Sequence, residues 1–324
     1  MTRSSLLFLS IFILTAGASL AQFDGAVGTA GCKAIQYNDS RIVNWATSCT
    51  VYRGYYDIAS NRALASFGHD SVGVGPATAS NTMDAVSLGD SGVAVLTFET
   101  PIANGEGPDF AVYENSFGDG FLELAFVEVS SDGQRYVRFP STSNTATSTQ
   151  VGSFANNMDP TLINNLAGKY RIGWGTPFDL DELRDSAGID INNITHVRLV
   201  DCIGTINTQY CTYDANGNIV NDPYPTAFNS SGFDLTGVAV INQRSSHIDM
   251  AQVADVKAYP NPCRSFLQLS EMPIGEEYRI YDICGNEVLR GVCPQNSFCI
   301  DVQQLKQGMY VLRIGSVAKK IVKK

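Results

Sequence analysis

The chain has 324 residues, with 22 Lys and Arg against 32 Asp and Glu, a formal net charge of −10; 17% of residues are charged and 44% hydrophobic. No basic excess exists to replace phosphate counterions, which excludes a nucleic-acid binder. The apolar fraction excludes a disordered chain, and the length accommodates roughly two domains of about 150 residues.

Residues 1–21 read MTRSSLLFLSIFILTAGASLA. Arg3 supplies a positive start, Leu6 to Leu14 an apolar run, and Ser19-Leu20-Ala21 a small-x-small cleavage site. This is the pattern of a secretory signal peptide, with Gln22 opening the mature chain. The run falls short of the roughly 20 residues that span a bilayer.

Export to an oxidising compartment predicts disulfides among Cys32, Cys49, Cys202, Cys211, Cys263, Cys284, Cys293 and Cys299. Proximity pairs Cys32 with Cys49 and Cys202 with Cys211, leaving two bridges among the last four. The absence of any Cys-x-x-Cys pair argues against zinc.

From Ala26 to Asn242 short apolar runs recur between turn signals, which predicts an all-β fold. GVAVLTF (92–98) precedes a turn ETPIANGEGP, and DFAVYEN (109–115) follows it. LELAFVEVS (122–130), the turn Ser131-Asp132-Gly133 and QRYVRF (134–139) form a hairpin, because Gly supplies the positive φ such turns require. Later strands are HVRLVD (196–201) and LTGVAVI (235–241), with short helical pieces at 160–166 and 180–186. In YDANGNIVNDP (213–223), Asp214, Asn216 and Asn218 share the spacing of an EF-hand loop, but Gly217 stands at the fourth position, not the sixth. A type I′ hairpin turn at Asn216-Gly217 is the simpler expectation.

The hairpin VEVSSDGQRYVRF resembles the corresponding one of discoidin-like and galactose-binding-like jelly rolls. Over NDSRIVNWATSC, DAVSLGDSGVAVLTFETPIANGEGPDFAVYENSF, ELAFVEVSSDG, GTPFDLDEL, ITHVRLVD and GFDLTGVAVIN, most of residues 36–242 also resembles a module of bacterial cell-surface proteins. The resemblance implies a jelly-roll-like β-sandwich and names no activity.

Candidate chemistry in the body is sparse. His196 opens a strand, His69 lies in a Gly-rich loop and His247 in a linker; no G-x-S-x-G elbow occurs. A glycosidase needs two carboxylates flanking a cleft, yet Glu123 and Glu128 on one strand point to opposite faces. Hard cations take six to eight oxygens, and Asp109, Glu114, Asp201 and Asp234 stand at predicted strand ends beside loops. They are therefore the candidate ligands for Ca2+. Tyr170, Trp174, Tyr210, Tyr213 and Tyr224 fall in loop-like segments and form a candidate aromatic platform for sugar.

Charge marks the boundary of the tail. Residues 22–249 carry 25 acidic and 11 basic side chains, whereas 250–324 carry 7 and 10. The tail contains AYPNP with Tyr259, Pro260, Asn261 and Pro262, then YRIYDICGNEV with Gly285, then LKQGMYVLRI with Gly308 and Tyr310, and ends KKIVKK. These short alternating strands closely resemble the type A C-terminal sorting domain of the type IX secretion system; four cysteines depart from its usual pattern. The resemblance implies a small Ig-like β-sandwich, interaction with the type IX machinery, and delivery to the cell surface or medium.

The expected organisation is a signal peptide (1–21), a β-sandwich surface module (22–249), a linker (250–257) and the sorting domain (258–324). The leading functional expectation is a secreted module that binds an extracellular ligand, a glycan, without catalysis. A carbohydrate-active hydrolase or lyase and an adhesive surface protein are the alternatives.

Overall fold

The computed structural model describes residues 23–244, 256–271, 274–315 and 317–324. The signal peptide, most of the linker and His247 lie outside the described residues. The chain divides into two compact units, at 1–244 and 245–324.

In the body, two antiparallel sheets of six strands share one core. The first runs in the order Ile35–Gln36, Trp174–Phe178, Phe110–Glu114, Asp234–Val240 and Asn44–Trp45, with Val86–Ser87 also on Asp234–Val240. The second runs Val137–Arg138, Ala125–Ser130, Ile194–Asp201, Val93–Ile102 and Ser48–Tyr52, with Leu166–Ala167 also on Ala125–Ser130. Val112, Leu235 and Val238 of the first sheet pack with Leu96, Val127 and Leu199 of the second. Phe110, Phe139 and Phe178 close this core, with ring centroids 5.0–5.9 Å apart.

Three central strands are buried on both faces. Alternation sends Val112 and Val238 to the main core, while Ala111, Tyr113 and Ala239 enter a second cluster with Ile35 and Ala77. On the other sheet Phe126 joins Leu122, Leu124, Met158, Ile163 and Val220 beneath the long loop after Arg138. Loops covering both outer faces explain why these strands read as continuous apolar runs.

Several local expectations need correction. The strand starting at Val93 continues to Ile102, so part of the expected turn is sheet. The helical pieces are only 3₁₀ turns, Pro160–Leu162 and Leu180–Leu183, and Ile163–Asn164 and Leu166–Ala167 are strands. Asp159 and Asp179 cap these turns by accepting from the N–H groups of Thr161 and Asp181.

The Asn216-Gly217 segment is not a type I′ turn, which needs positive φ at both residues. Gly217 alone has it, at 81°. Gly217 N–H donates to Asp214 O and Asp214 N–H to Asn218 O, closing a three-residue loop. Asp214 Oδ1 accepts from the N–H groups of Asn216 and Asn218, and Oδ2 from Asn218 Nδ2. The same pattern recurs in the tail, where Asp282 accepts from the N–H groups of Cys284 and Asn286 and from Asn286 Nδ2, with Gly285 at φ 84°. The Asp-x-x-Gly-Asn sequence thus uses its carboxylate as an internal turn clamp.

The tail is a second sandwich. Lys257–Tyr259, Phe266–Ser270 and Phe298–Asp301 form one sheet; Glu287–Val292, Glu277–Asp282, Gly308–Ile314 and Val317–Lys323 form the other. Leu267, Leu269, Ile280, Ile300, Leu312 and Ile321 fill it. Tyr310 is buried with its hydroxyl donating to Lys306 O. Asn261 Nδ2 donates to Lys320 O and Asn261 Oδ1 accepts from Val322 N–H, fastening the Pro-Asn-Pro motif to the last strand.

Candidate functional site

Antiparallel register gathers acids at one end of the body. Glu114 closes its strand where Asp234 opens the neighbouring one, and Glu114 lies opposite Leu235. On the second sheet Asp201 closes its strand opposite Ala125, and Glu123 precedes that strand by two residues. Asp90 and Asp222 join from loops. All six acids are buried.

Their partners divide them. Asp201 accepts from the N–H groups of Ser91 and Phe233, and Asp222 from that of Leu124, so both act as backbone clamps. Gly232, at φ 71°, admits Asp201: a Cβ there would lie 2.6 Å from its Oδ1. Asp234 accepts from the Ser87 hydroxyl and, at 3.0 Å, from Asn115 Nδ2. Glu114 Oε2 accepts from Ser116 N–H at 2.6 Å, whereas its Oε1 meets no donor. No side-chain hydrogen bond reaches Glu123 among the described residues. Gly168, at φ 87°, packs so close that a Cβ would lie 1.8 Å from Glu123 O.

Burial raises these carboxyls. Asp234 is pushed up to about 7 by burial, against the hydrogen bonds from Ser87 and Asn115. Glu114 and Glu123 rise well above the ordinary range, from burial first and then from the charge of Asp234. Asp201 and Asp222 rise by burial, with the charge of Asp90 adding to both. Asp90 reaches about 7 by burial, opposed by the Ile58 N–H.

Glu123 and Asp234 line an open cavity of about 470 Å³ together with Asn115, Thr226 and five phenylalanines. Phe117 stacks on Phe121 at 4.2 Å, and Phe154 lies 5.5 Å from Phe228. Phe117, Phe154 and Phe228 are exposed, as is Met83 on the same wall. The cavity is within the size range of small-molecule sites and pairs an apolar rim with a few convergent polar groups.

The four acids expected to hold calcium do not all converge. Asp109 stands at the far end of the Phe110–Glu114 strand, about 17 Å from Glu114 at the rise of a strand. Its carboxylate takes the N–H groups of Gly105 and Leu180 and Asn242 Nδ2. Asp201 lies at the acidic end as a backbone clamp, and of the four only Asp234 lines the cavity, Glu114 being buried nearby. Among the described residues no group of three or more His, Cys, Asp or Glu is placed to hold a metal ion.

The five expected platform aromatics are scattered. Tyr170 is buried, its hydroxyl on Asp24 beside Lys169 in a separate cavity. Trp174 opens a strand, Tyr224 donates to Asp57, and Tyr210 and Tyr213 lie along the loop after Thr205, Tyr213 being exposed. The aromatics that meet the acids are phenylalanines from three distant loops. Glu128 is paired with Arg138 and Arg198 and stays apart from Glu123. His196 lies in a strand with Nδ1 on the Thr195 hydroxyl, and His69 precedes a 3₁₀ turn.

All eight cysteines are unbridged in this structure. Cys32 lines the cavity of Tyr170, whereas Cys49 packs on Gly73. Cys202 is buried among Leu122, Leu124 and Phe126, while Cys211 is only partly buried. In the tail, Cys263 donates to Val322 O and Cys299 to Gln268 Oε1, while Cys293 is buried and Cys284 exposed.

Residues 257–324 match the family described as the secretion system C-terminal sorting domain. No curated protein matches the chain. Among solved structures, a Faecalibacterium prausnitzii beta-glucuronidase is 10% identical at a TM-score of 0.19, covering 87% of this chain and 45% of that one. The BSP domain of a biofilm associated protein is 10% identical at 0.19, covering 88% and 53%. A Ruminococcus gnavus beta-glucuronidase is 11% identical at 0.18, covering 85% and 44%. The chain spans about half the length of these structures, and likeness at such TM-scores fixes neither fold nor activity. No helix among the described residues is long and apolar enough to cross a membrane.

Proposed function

We propose that this type IX secretion substrate uses its body to bind an extracellular glycan at the Glu123–Asp234 cavity, without transforming it. The sorting domain indicates export across the outer membrane to the cell surface or extracellular space, and interaction with the type IX machinery. The observation that carries the binding reading is the cavity itself: carboxylates and Asn115 at its floor, exposed phenylalanines at its rim. Such acids accept from sugar hydroxyls, and phenyl faces cover the apolar faces of sugar rings.

A second reading is favoured by the same pair of acids. Carboxyls raised above the ordinary range by burial are what a glycoside hydrolase needs for its general acid. Incubating the full chain with polysaccharides separates the two: retention on the polymer without new reducing ends supports binding, and released oligosaccharides support hydrolysis. Calcium is a third occupant, for which Glu114, Asp234 and loop carbonyls would have to complete six to eight oxygens.

A further inference from the structure

We infer that the Glu123–Asp234 cavity selects a ligand carrying an organic cation: within a glycan, an amino sugar with a free amine. This rests on the reading of the cavity as a glycan site and adds the charge of what enters it.

The floor of the cavity has acids and no cation. Of the two acids that line it, Asp234 has two neutral donors and Glu123 none among the described residues. Glu123 lines the cavity at 6% exposure with no hydrogen-bond partner for its carboxyl among the described residues, a costly arrangement for a carboxylate. Elsewhere buried acids meet a counter-charge, as Glu128 does with Arg138 and Arg198 and Asp24 with Lys169, or neutral N–H donors, as Asp109, Asp201 and Asp222 do; Glu123 has neither among the described residues. Here no Lys or Arg lines the cavity, and Arg53 acts on Asp234 only through its charge, without a hydrogen bond. Its guanidinium donates to the carbonyls of Phe67, Gly68 and Ser87. The missing positive charge therefore comes with the ligand.

The walls say what kind of cation it is. A calcium ion needs six to eight oxygens, and among the described residues no three His, Cys, Asp or Glu side chains are placed to hold one. The rim is carbon instead: Phe117, Phe121, Phe154, Phe228 and Met83. Phenyl faces attract an alkylammonium through their quadrupole and cover the carbons next to it, which they cannot do for a hydrated metal. About 470 Å³ accommodates one or two sugar rings.

Calorimetric titration of the full chain with the glucosamine disaccharide, its N,N′-diacetylated form, choline and calcium chloride tests this. The free-amine disaccharide should bind about tenfold more tightly than the acetylated one, in the range set by a desolvated cation on aromatic rings. Glu123→Gln should remove that preference, and Phe154→Ala, at a 67% exposed position, should weaken amine binding with the fold intact. Equal binding of both disaccharides overturns the cation inference and leaves the glycan reading standing. Choline binding with no disaccharide binding supports the cation and overturns the glycan. Calcium alone displacing the amine one-for-one at Glu123 overturns the organic cation, and silence from every probe overturns both.

Discussion

Lys169 and Asp24 show how single residues hold the body. Both side chains are nearly buried, at 3% and 10% exposure, and Asp24 also takes the Tyr170 hydroxyl. Burial pulls the Lys169 amine down, and Asp24 restores its charge. Asp24→Asn leaves the amine without a partner and should cost about 3–5 kcal/mol in urea unfolding, with Asp24→Asn/Lys169→Met recovering part of it. A single-variant cost under about 1 kcal/mol would show the pair to be incidental.

The acidic end gives a pH signature. Asp90 and Asp234 are raised to about 7, and Glu114, Glu123, Asp201 and Asp222 are raised with them. Unfolded carboxyls ionise near 4, so the folded state holds more protons between about pH 4 and 7. That stability is present below the unfolded value and lost as pH rises through the folded one. The charge of Arg53 on Asp234 and that of Asp57 on Asp90 are the others acting on the two. Asp24 and Asp57, which are lowered, act only at more acid pH. The melting temperature of the ligand-free chain should therefore be higher at pH 5 than at pH 8; the opposite order would contradict the buried, unpaired acids.

At the scale of elements, periodicity and turn residues made the sheets legible. The strands at Phe110, Ala125, Ile194 and Asp234 lie where apolar runs sit between Gly and Asp signals. Their ends were less so: Val93–Ile102 runs through a Pro-containing stretch, where Ile194 of the neighbouring strand pairs with Ile102 across an irregularity in register. The site was legible in half. Glu114 and Asp234 announce themselves as strand-end acids, but Glu123 precedes its strand, so face alternation with Glu128 did not apply. Phe117, Phe154 and Phe228 sit in loops far apart in sequence, where no local pattern joins them.

The Asp-x-x-Gly-Asn turns make an element-scale test. A Cβ at Gly217 or Gly285 meets nothing within 4 Å, so replacement by Ala pays only for a positive φ. Each should lower stability by about 1–2 kcal/mol. Gly168→Ala, whose Cβ would overlap Glu123 O, should be more damaging and should disturb the cavity as well. Equal effects of Gly217→Ala and Gly168→Ala on melting would contradict that distinction.

At the scale of the whole molecule, an acidic body and a tail that addresses it are separate units. Deleting residues 258–324 should leave the body inside the outer membrane, read by fractionation; undiminished surface appearance would contradict the role of the tail. The most direct test of the account is binding of the full chain to immobilised glycans, compared with a Phe154→Ala/Phe228→Ala variant. Both rings are exposed, so the variant should melt like the parent and yet lose most of its glycan retention. Undiminished retention by the variant would place the binding site elsewhere and contradict the assignment of this cavity.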